Sequence, residues 1–329
     1  MLILNARDVR QALPMIEAIA AMKEAFAALT EGRAIVLPRA HLPIERNQGI
    51  SLFMPAYIDH EDSSRQALTI KAVSLFDQNQ SKGLARIQAA VLVLDPTTGA
   101  LSAVLEGATL TGIRTAAASG AATDLLARPD SQTVAILGAG VQARAHLEAI
   151  CAIRPIERAF IHSPTPAKVN ALMAEKGSVV SAELVAVESS REAIAEADII
   201  CCTSTSPTPI FDDADVRAGT HINAVGSYMP HVREVPSATV ARSLVVIDSH
   251  EAAWEEAGDL IIPVEAGEIT RDHVHAELGE LVLGTQAGRS DDQQITFFKS
   301  VGIAAQDAFA AQVALANAKS RNLGQRVNW

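Results

Sequence analysis

Residues 133–146 read TVAILGAGVQARAH, and they decide how the rest of the chain is organised. The apolar run TVAIL leads straight into Gly138, and a stretch free of further glycine and proline starts after Gly140. Gly138, Gly140 and Ala143 stand in G-x-G-x-x-A register. The first permits a tight turn, the second lets the backbone approach a ligand closely, and Ala143 lets helix and strand pack together. The N–H groups that open such a helix have no partners within it and lie at the positive end of its dipole, so a pyrophosphate suits this turn. Val141 and Gln142, between Gly140 and Ala143, belong to the same dinucleotide-binding segment.

From about residue 132, short apolar runs alternate with helical segments: TVAIL, RAFIH, LVAV, DIICCT, THINAV and SLVVID. Such alternation predicts a parallel sheet covered on both faces, a Rossmann-type doubly wound α/β domain of six strands. The first 110 residues read differently. After a strand at Leu2–Leu4, Pro14 can open a helix carrying Ile16, Ile19, Met22, Phe26 and Leu29, with Gly32 placed to end it. The runs GISLFMPAYI, ALTIKAVSLF and IQAAVLVLDPTTGALSAVLEG, the last folded about an Asp-Pro-Thr-Thr-Gly turn, predict an antiparallel sheet in a mixed α+β module. The Ala-rich tail SVGIAAQDAFAAQVALANAKSRN predicts a long helix returning to that module. The expected division is residues 1–118 with 301–329, and 119–300 as the dinucleotide domain.

A chain of 329 residues suits two domains. Although 49% of it is hydrophobic, no run approaches the roughly 18 apolar residues of a membrane span, and charges interrupt the N-terminal segment before a signal sequence could form. A cytoplasmic protein is expected, with Cys151, Cys201 and Cys202 as reduced thiols. A formal charge of −11 without a basic stripe argues against nucleic acid as partner. His273 and His275 lie two apart in an acidic, helix-like stretch and read as solvated, so no metal site is expected. No G-x-S-x-G elbow is present.

At the end of the second strand of a dinucleotide domain that prefers NAD, a carboxylate would accept from the ribose 2′-hydroxyl. Here the corner is His162, Ser163, Pro164 and Thr165, with Lys168 opening the next helix. Nothing there repels a 2′-phosphate and hydroxyl donors are at hand, which favours NADP(H) with NAD(H) possible; a plain turn and helix cap serving both cofactors is the other reading. Thr203 after the fourth strand, and Val225, Gly226 and Ser227 after the fifth, fall at the carboxyl ends where ligands of open α/β sheets gather.

The segments RAHLPI, TIKAVSLF, TGIRTAAASGAAT, LGAGVQARAHLEA, INAVGSYMPHVREV, EEAGDLIIP, AELGELVLG and TFFKSVGIAAQD together resemble the ornithine cyclodeaminase/mu-crystallin family, in the family's order. The resemblance implies a homodimer built through the first module, which also contributes to substrate binding. It implies that Arg39, Lys71 and Arg114 hold a substrate carboxylate, a role that suits a guanidinium able to make two parallel hydrogen bonds; taken alone, each cation would by default face solvent or serve a structural salt bridge. Lys299 and Ser300 resemble the family's return segment toward the cofactor, and Arg86 stands where many relatives carry Thr. In cyclodeaminases the run after Val-Gly is typically Gly-Asp-x-Pro. Here Ser227-Tyr228-Met229-Pro230 places Tyr228 at the acidic position, which resembles the branch that reduces Δ1-pyrroline-2-carboxylate and related cyclic imines to proline or pipecolate. Lys71, Arg114 and Tyr228 are then the catalytic candidates, with a small cyclic imino acid as substrate. Ornithine cyclodeaminase, an alanine-type dehydrogenase and a mu-crystallin-like binding protein are the alternatives within the family.

Overall fold

The chain, described over residues 1–328 in a computed structural model, opens with β1 (Leu2–Leu4), α1 (Ala6–Ala12) and α2 (Met15–Thr30). Asn5 starts α1 with a capping box: its side chain accepts from the Asp8 N–H while Asp8 Oδ2 accepts from the Asn5 N–H. In α2, Ile19, Met22 and Phe26 recur at helical spacing on the buried side, and Gly32, at φ +72°, follows the last turn.

Then come β2 (Ala34–Val36), β3 (Ala40–Ile44), β4 (Gly49–Ile58), β5 (Ala67–Phe76), β6 (Ile87–Leu94) and β7 (Leu101–Glu106). The ladder β4-β5-β6-β7 is antiparallel throughout. One strand departs from the antiparallel expectation: β1 pairs parallel with β7, because it enters the sheet beside a strand running the same way. Glu106 starts α3 (Gly107–Leu126), its carboxylate accepting from the N–H groups of Ala108 and Thr109 that lack partners in the helix.

The parallel sheet contains β8 (Thr133–Leu137), α4 (Val141–Ile153), β9 (Arg158–His162), α5 (Pro166–Lys176), β10 (Glu183–Ala186), α6 (Ser190–Ile194), β11 (Ile199–Cys202) and β12 (His221–Ala224) as its strands and helices in chain order. It continues through α7 (Ser237–Ala241), β13 (Ser243–Ile247), α8 (His250–Glu256), α9 (Gly258–Glu265), β14 (Val274–Glu277), α10 (Leu278–Leu283) and β15 (Ile295–Lys299). The strand order is β10-β9-β8-β11-β12-β15-β13-β14. Strands β11 and β12 are buried at every position, as expected of strands covered on both faces. The order reverses direction between β8 and β11, the switch point at which a crevice opens beyond the strand ends.

Two strands exceed the six expected. β15 slots between β12 and β13 and buries Phe297 and Phe298. β14 replaces the helix-like stretch: Val274 and Ala276 alternate inward with period two, which the surrounding charges disguise. Both histidines there are tied to backbone, His273 Nε2 to Val240 O at 2.9 Å and His275 Nε2 to Ala287 O at 2.8 Å.

Finally α11 (Ala304–Arg321) packs on α2, β4 and β5, and β16 (Gln325–Arg326) pairs antiparallel with β1. The chain forms two compact units: Met1–Arg114 together with the segment that begins at Ile303, and Thr115–Gly302. No described helix is long and apolar enough to cross a membrane.

Candidate active site

In the first unit, alternation along β5 puts Lys71 on the buried face with Ala67, Thr69 and Val73, at 2% exposure. An ammonium there needs a partner. Asp307, in the first turn of α11, supplies it: Lys71 Nζ donates to Asp307 Oδ2 at 2.7 Å. Arg114 of α3 converges on the same carboxylate, its Nε donating to Asp307 Oδ1 at 3.0 Å and its Nη1 to Gln306 Oε1 at 2.7 Å. Burial pulls Lys71 down to about 8; Asp307 opposes this, while Arg114 and Arg39 reinforce it. Burial would raise the Asp307 carboxyl, but Arg114 and Lys71 hold it below the usual carboxylate range. Arg39, half-buried just before β3, adds a third positive charge to this cluster. Arg86 lies apart from it in an exposed pair with Asp77 at 2.6 Å.

In the second unit, a cleft of about 540 Å³ opens beyond the strand ends, lined by Gly138, Gly140, His162, Ser163, Thr165 and Thr203 among others. Gly138 takes φ +125°, and a Cβ there would lie 2.7 Å from Thr203 O. Gly140, the N-cap of α4, meets nothing within 4 Å of where its Cβ would be, so the space before the helix N-terminus is open. A glycine turn that a Cβ would obstruct on one side, with an open cradle on the other, fits a dinucleotide pyrophosphate. Val141 is exposed at the helix start, Gln142 half-buried, and Ala143 fully buried against the sheet. The cleft carries Lys168 and no carboxylate among its lining residues.

Val225, Gly226, Ser227 and Lys299 do not line that cleft. The N–H groups of Val225 and Gly226 donate to Cys202 O at 3.1 and 3.2 Å, and Ser227 and Lys299 belong to a buried network. Lys299 Nζ donates to Ser227 O at 2.6 Å and sits 2.7 Å from Asp259 Oδ2. Ser227 N–H is taken by Glu234. Half-buried Tyr228 follows directly. Among the described residues no cluster of His, Cys, Asp or Glu is arranged to hold a metal.

Sequence reasoning missed Asp307, Gln306, Glu234, Asp259 and the cleft serines Ser204 and Ser206. A signal existed for Asp307: a carboxylate flanked by Ala304, Ala305, Ala308 and Phe309 in an Ala-rich helix is poorly suited to a surface and asks for a buried cation.

A doubly wound parallel sheet with a glycine turn at its first helix is the architecture of dinucleotide-binding α/β proteins. The family model of the ornithine cyclodeaminase/mu-crystallin family matches residues 1–322, and the chain belongs to that family. It is 38% identical over 330 residues to a Delta(1)-pyrroline-2-carboxylate reductase of Bacillus cereus, covering 100% of both chains. Its fold matches the Thermococcus litoralis Delta(1)-pyrroline-2-carboxylate reductase, solved with NADH and L-proline, with a TM-score of 0.94 and 42% identity over 99% of this chain and 100% of that one. An archaeal alanine dehydrogenase dimer with bound NAD follows with a TM-score of 0.90 and 31% identity, over 100% of this chain and 99% of that one.

Proposed function

We propose that this chain is an NAD(P)H-dependent ketimine reductase that converts Δ1-pyrroline-2-carboxylate to L-proline, or Δ1-piperideine-2-carboxylate to pipecolate. The observation that carries the reading is the convergence of Lys71 and Arg114 on the two oxygens of one carboxylate, Asp307, in a buried site. Donors arranged in this way recognise a carboxylate group by geometry as well as charge. Lys71, Arg114 and Arg39 bind the imino acid's carboxylate, and Asp307 keeps the cations from repelling one another before it arrives.

Gly138, Gly140 and the first turn of α4 would hold the dinucleotide, which when bound would supply a hydride for the imine carbon. The substrate ring is already closed and its nitrogen protonates readily, so no residue has to strip an ammonium group. Tyr228 stands where a cyclodeaminase carries Asp, and a phenol is a poorer proton acceptor than a carboxylate for stripping an ammonium group. That favours imine reduction over the full deamination of ornithine.

His162, Ser163, Thr165 and Lys168 at the cleft, with no carboxylate beside them, support a preference for NADP(H). A homodimer through the first unit is supported by the exposed apolar side chains Ile35, Leu37, Leu42, Phe53 and Ile87. Buried thiols suit a cytoplasmic setting, burial pushing Cys201 up to about 12. Purified protein with NADPH and each cyclic imine should oxidise the cofactor and release proline or pipecolate. Ammonia and proline formed from ornithine with catalytic NAD⁺, at a rate comparable to imine reduction, would overturn the reading.

A further inference from the structure

The loops that leave β11 and β12 are joined by a carboxylate to which the reading above gives no role. Glu234 is fully buried, and its oxygens face different loops. Oε1 accepts from the Ser204 N–H at 2.7 Å and Oε2 from the Ser227 N–H at 3.1 Å. Ser204 lines the dinucleotide cleft, and Ser227 precedes Tyr228. The next peptide group is held as well, since Lys299 Nζ donates to Ser227 O. Asp259 Oδ1 in turn accepts from the N–H groups of Glu234 and Val235 at 2.8 and 3.0 Å. The packing leaves no slack: a Cβ on Gly226 would lie 2.2 Å from Ser204 O and 2.3 Å from Glu234 Oε2.

We propose that Glu234 is a positioning residue: ionised, it ties the Ser204 and Ser227 loops together and so sets the seat of the nicotinamide ring; protonated, it lets one of them go. This rests on the dinucleotide-dependent reading above. An ionised carboxylate accepts at both oxygens, whereas a protonated one carries a hydrogen on one oxygen and presents it to an N–H that has no use for it. The charged and titratable groups facing Glu234 are Asp259 from α9, Lys299 from β15 and the Cys202 thiol from β11. Burial pushes Glu234 up to about 7; the Ser204 hydrogen bond and Lys299 oppose this, and Asp259 adds to it. Both forms are therefore populated near neutral pH.

The test is the fluorescence of bound NADH, which has no 2′-phosphate to titrate, followed from pH 5.5 to 9 alongside its Kd and the kcat for imine reduction. In the wild-type protein the emission should change with a midpoint near 7. Glu234→Gln should flatten that titration and lower kcat about tenfold at pH 8, the size expected for one charged hydrogen bond, with the NADH Kd within about threefold. This variant also separates Glu234 from His162 and Lys168, which line the cleft. Asp259→Asn removes a neighbouring negative charge and should move the midpoint to lower pH, which keeps the test decisive if the Gln variant does not fold. A purely structural Glu234 would lower the melting temperature of the Gln variant and leave its kcat and titration at wild-type values, which overturns the proposal. So does a flat wild-type titration with NADH bound, or an Asp259→Asn midpoint that stays or rises. A wild-type protein that binds neither NADH nor NADPH overturns the underlying reading and this inference with it.

Discussion

Two glycines two residues apart should respond to the same added methyl in opposite ways. Gly140 lies at φ −89°, ψ −163°, a backbone that any residue adopts, and its Cβ would meet nothing within 4 Å. Gly140→Ala should therefore leave stability within about 0.5 kcal/mol of wild type. The methyl does, however, project where a pyrophosphate must come within about 2.9 Å of the N–H groups opening α4. Losing one such charged hydrogen bond costs about 1.5–3 kcal/mol, or roughly ten- to more than a hundredfold in Kd. Gly138 is the reverse case. Its φ of +125° is strained for alanine, and the Cβ would press on Thr203 O at 2.7 Å. Strain of about 1–2 kcal/mol and overpacking of about 1–3 kcal/mol should lower the melting temperature by roughly 4–20 °C for a unit of this size. Calorimetry and a fluorescence titration with NADPH on both variants decide the matter. A Gly140→Ala protein that binds as wild type does, or that loses stability as Gly138→Ala does, would refute the assignment of this cradle.

Lys71→Met and Arg114→Leu should each lower kcat/KM for the imine at least ten- to a hundredfold while dinucleotide affinity is retained; wild-type turnover in either excludes a carboxylate-binding role. Lys71 titrates near 8 in the folded chain against an ordinary value of 10.5, so the unfolded chain binds more protons between those values and this lysine's contribution to stability rises with pH across that window. Substrate binding should move the other way, with kcat/KM falling on the alkaline side at a midpoint near 8; a profile level to pH 9.5 would show that the ammonium is not used. Steady-state kinetics with both cofactors should favour NADPH, and a preference for NADH above about tenfold, roughly 1.4 kcal/mol, would refute the reading of the Ser163 corner.

The parts of the fold that were legible from sequence are those in which one local signal dominates. β4 and β5 fall on GISLFMPAYI and ALTIKAVSLF because long alternating runs leave no competing period. β14 was hidden because VHAE is short and its inward Val274 and Ala276 sit among charges that mimic a helix surface. At the site, glycines and lone cations announce themselves, since each has a conformational or electrostatic need visible in one dimension. Their carboxylate partners do not. Asp307 lies 236 residues from Lys71, and Asp259 lies 25 from Glu234, so only the fold reveals that these are buried pairs and contacts and not ordinary surface acids.

The first unit is written in two places, and this has a consequence for synthesis. Residues 1–114 leave the ribosome first, but the helix that covers β4 and β5, and that carries the counter-ion of Lys71, comes only after Gly302. At about 5–20 residues per second, the early strands wait roughly 10–40 s with an apolar face uncovered while the second unit, contiguous in sequence, is made and folds. The N-terminal amine of Met1 donates to Val327 O at 2.9 Å, so the two ends already adjoin. A permuted gene that begins at Ile303 and joins residue 328 to Met1 through a short linker would deliver the first unit whole, and should yield more soluble protein at equal thermodynamic stability.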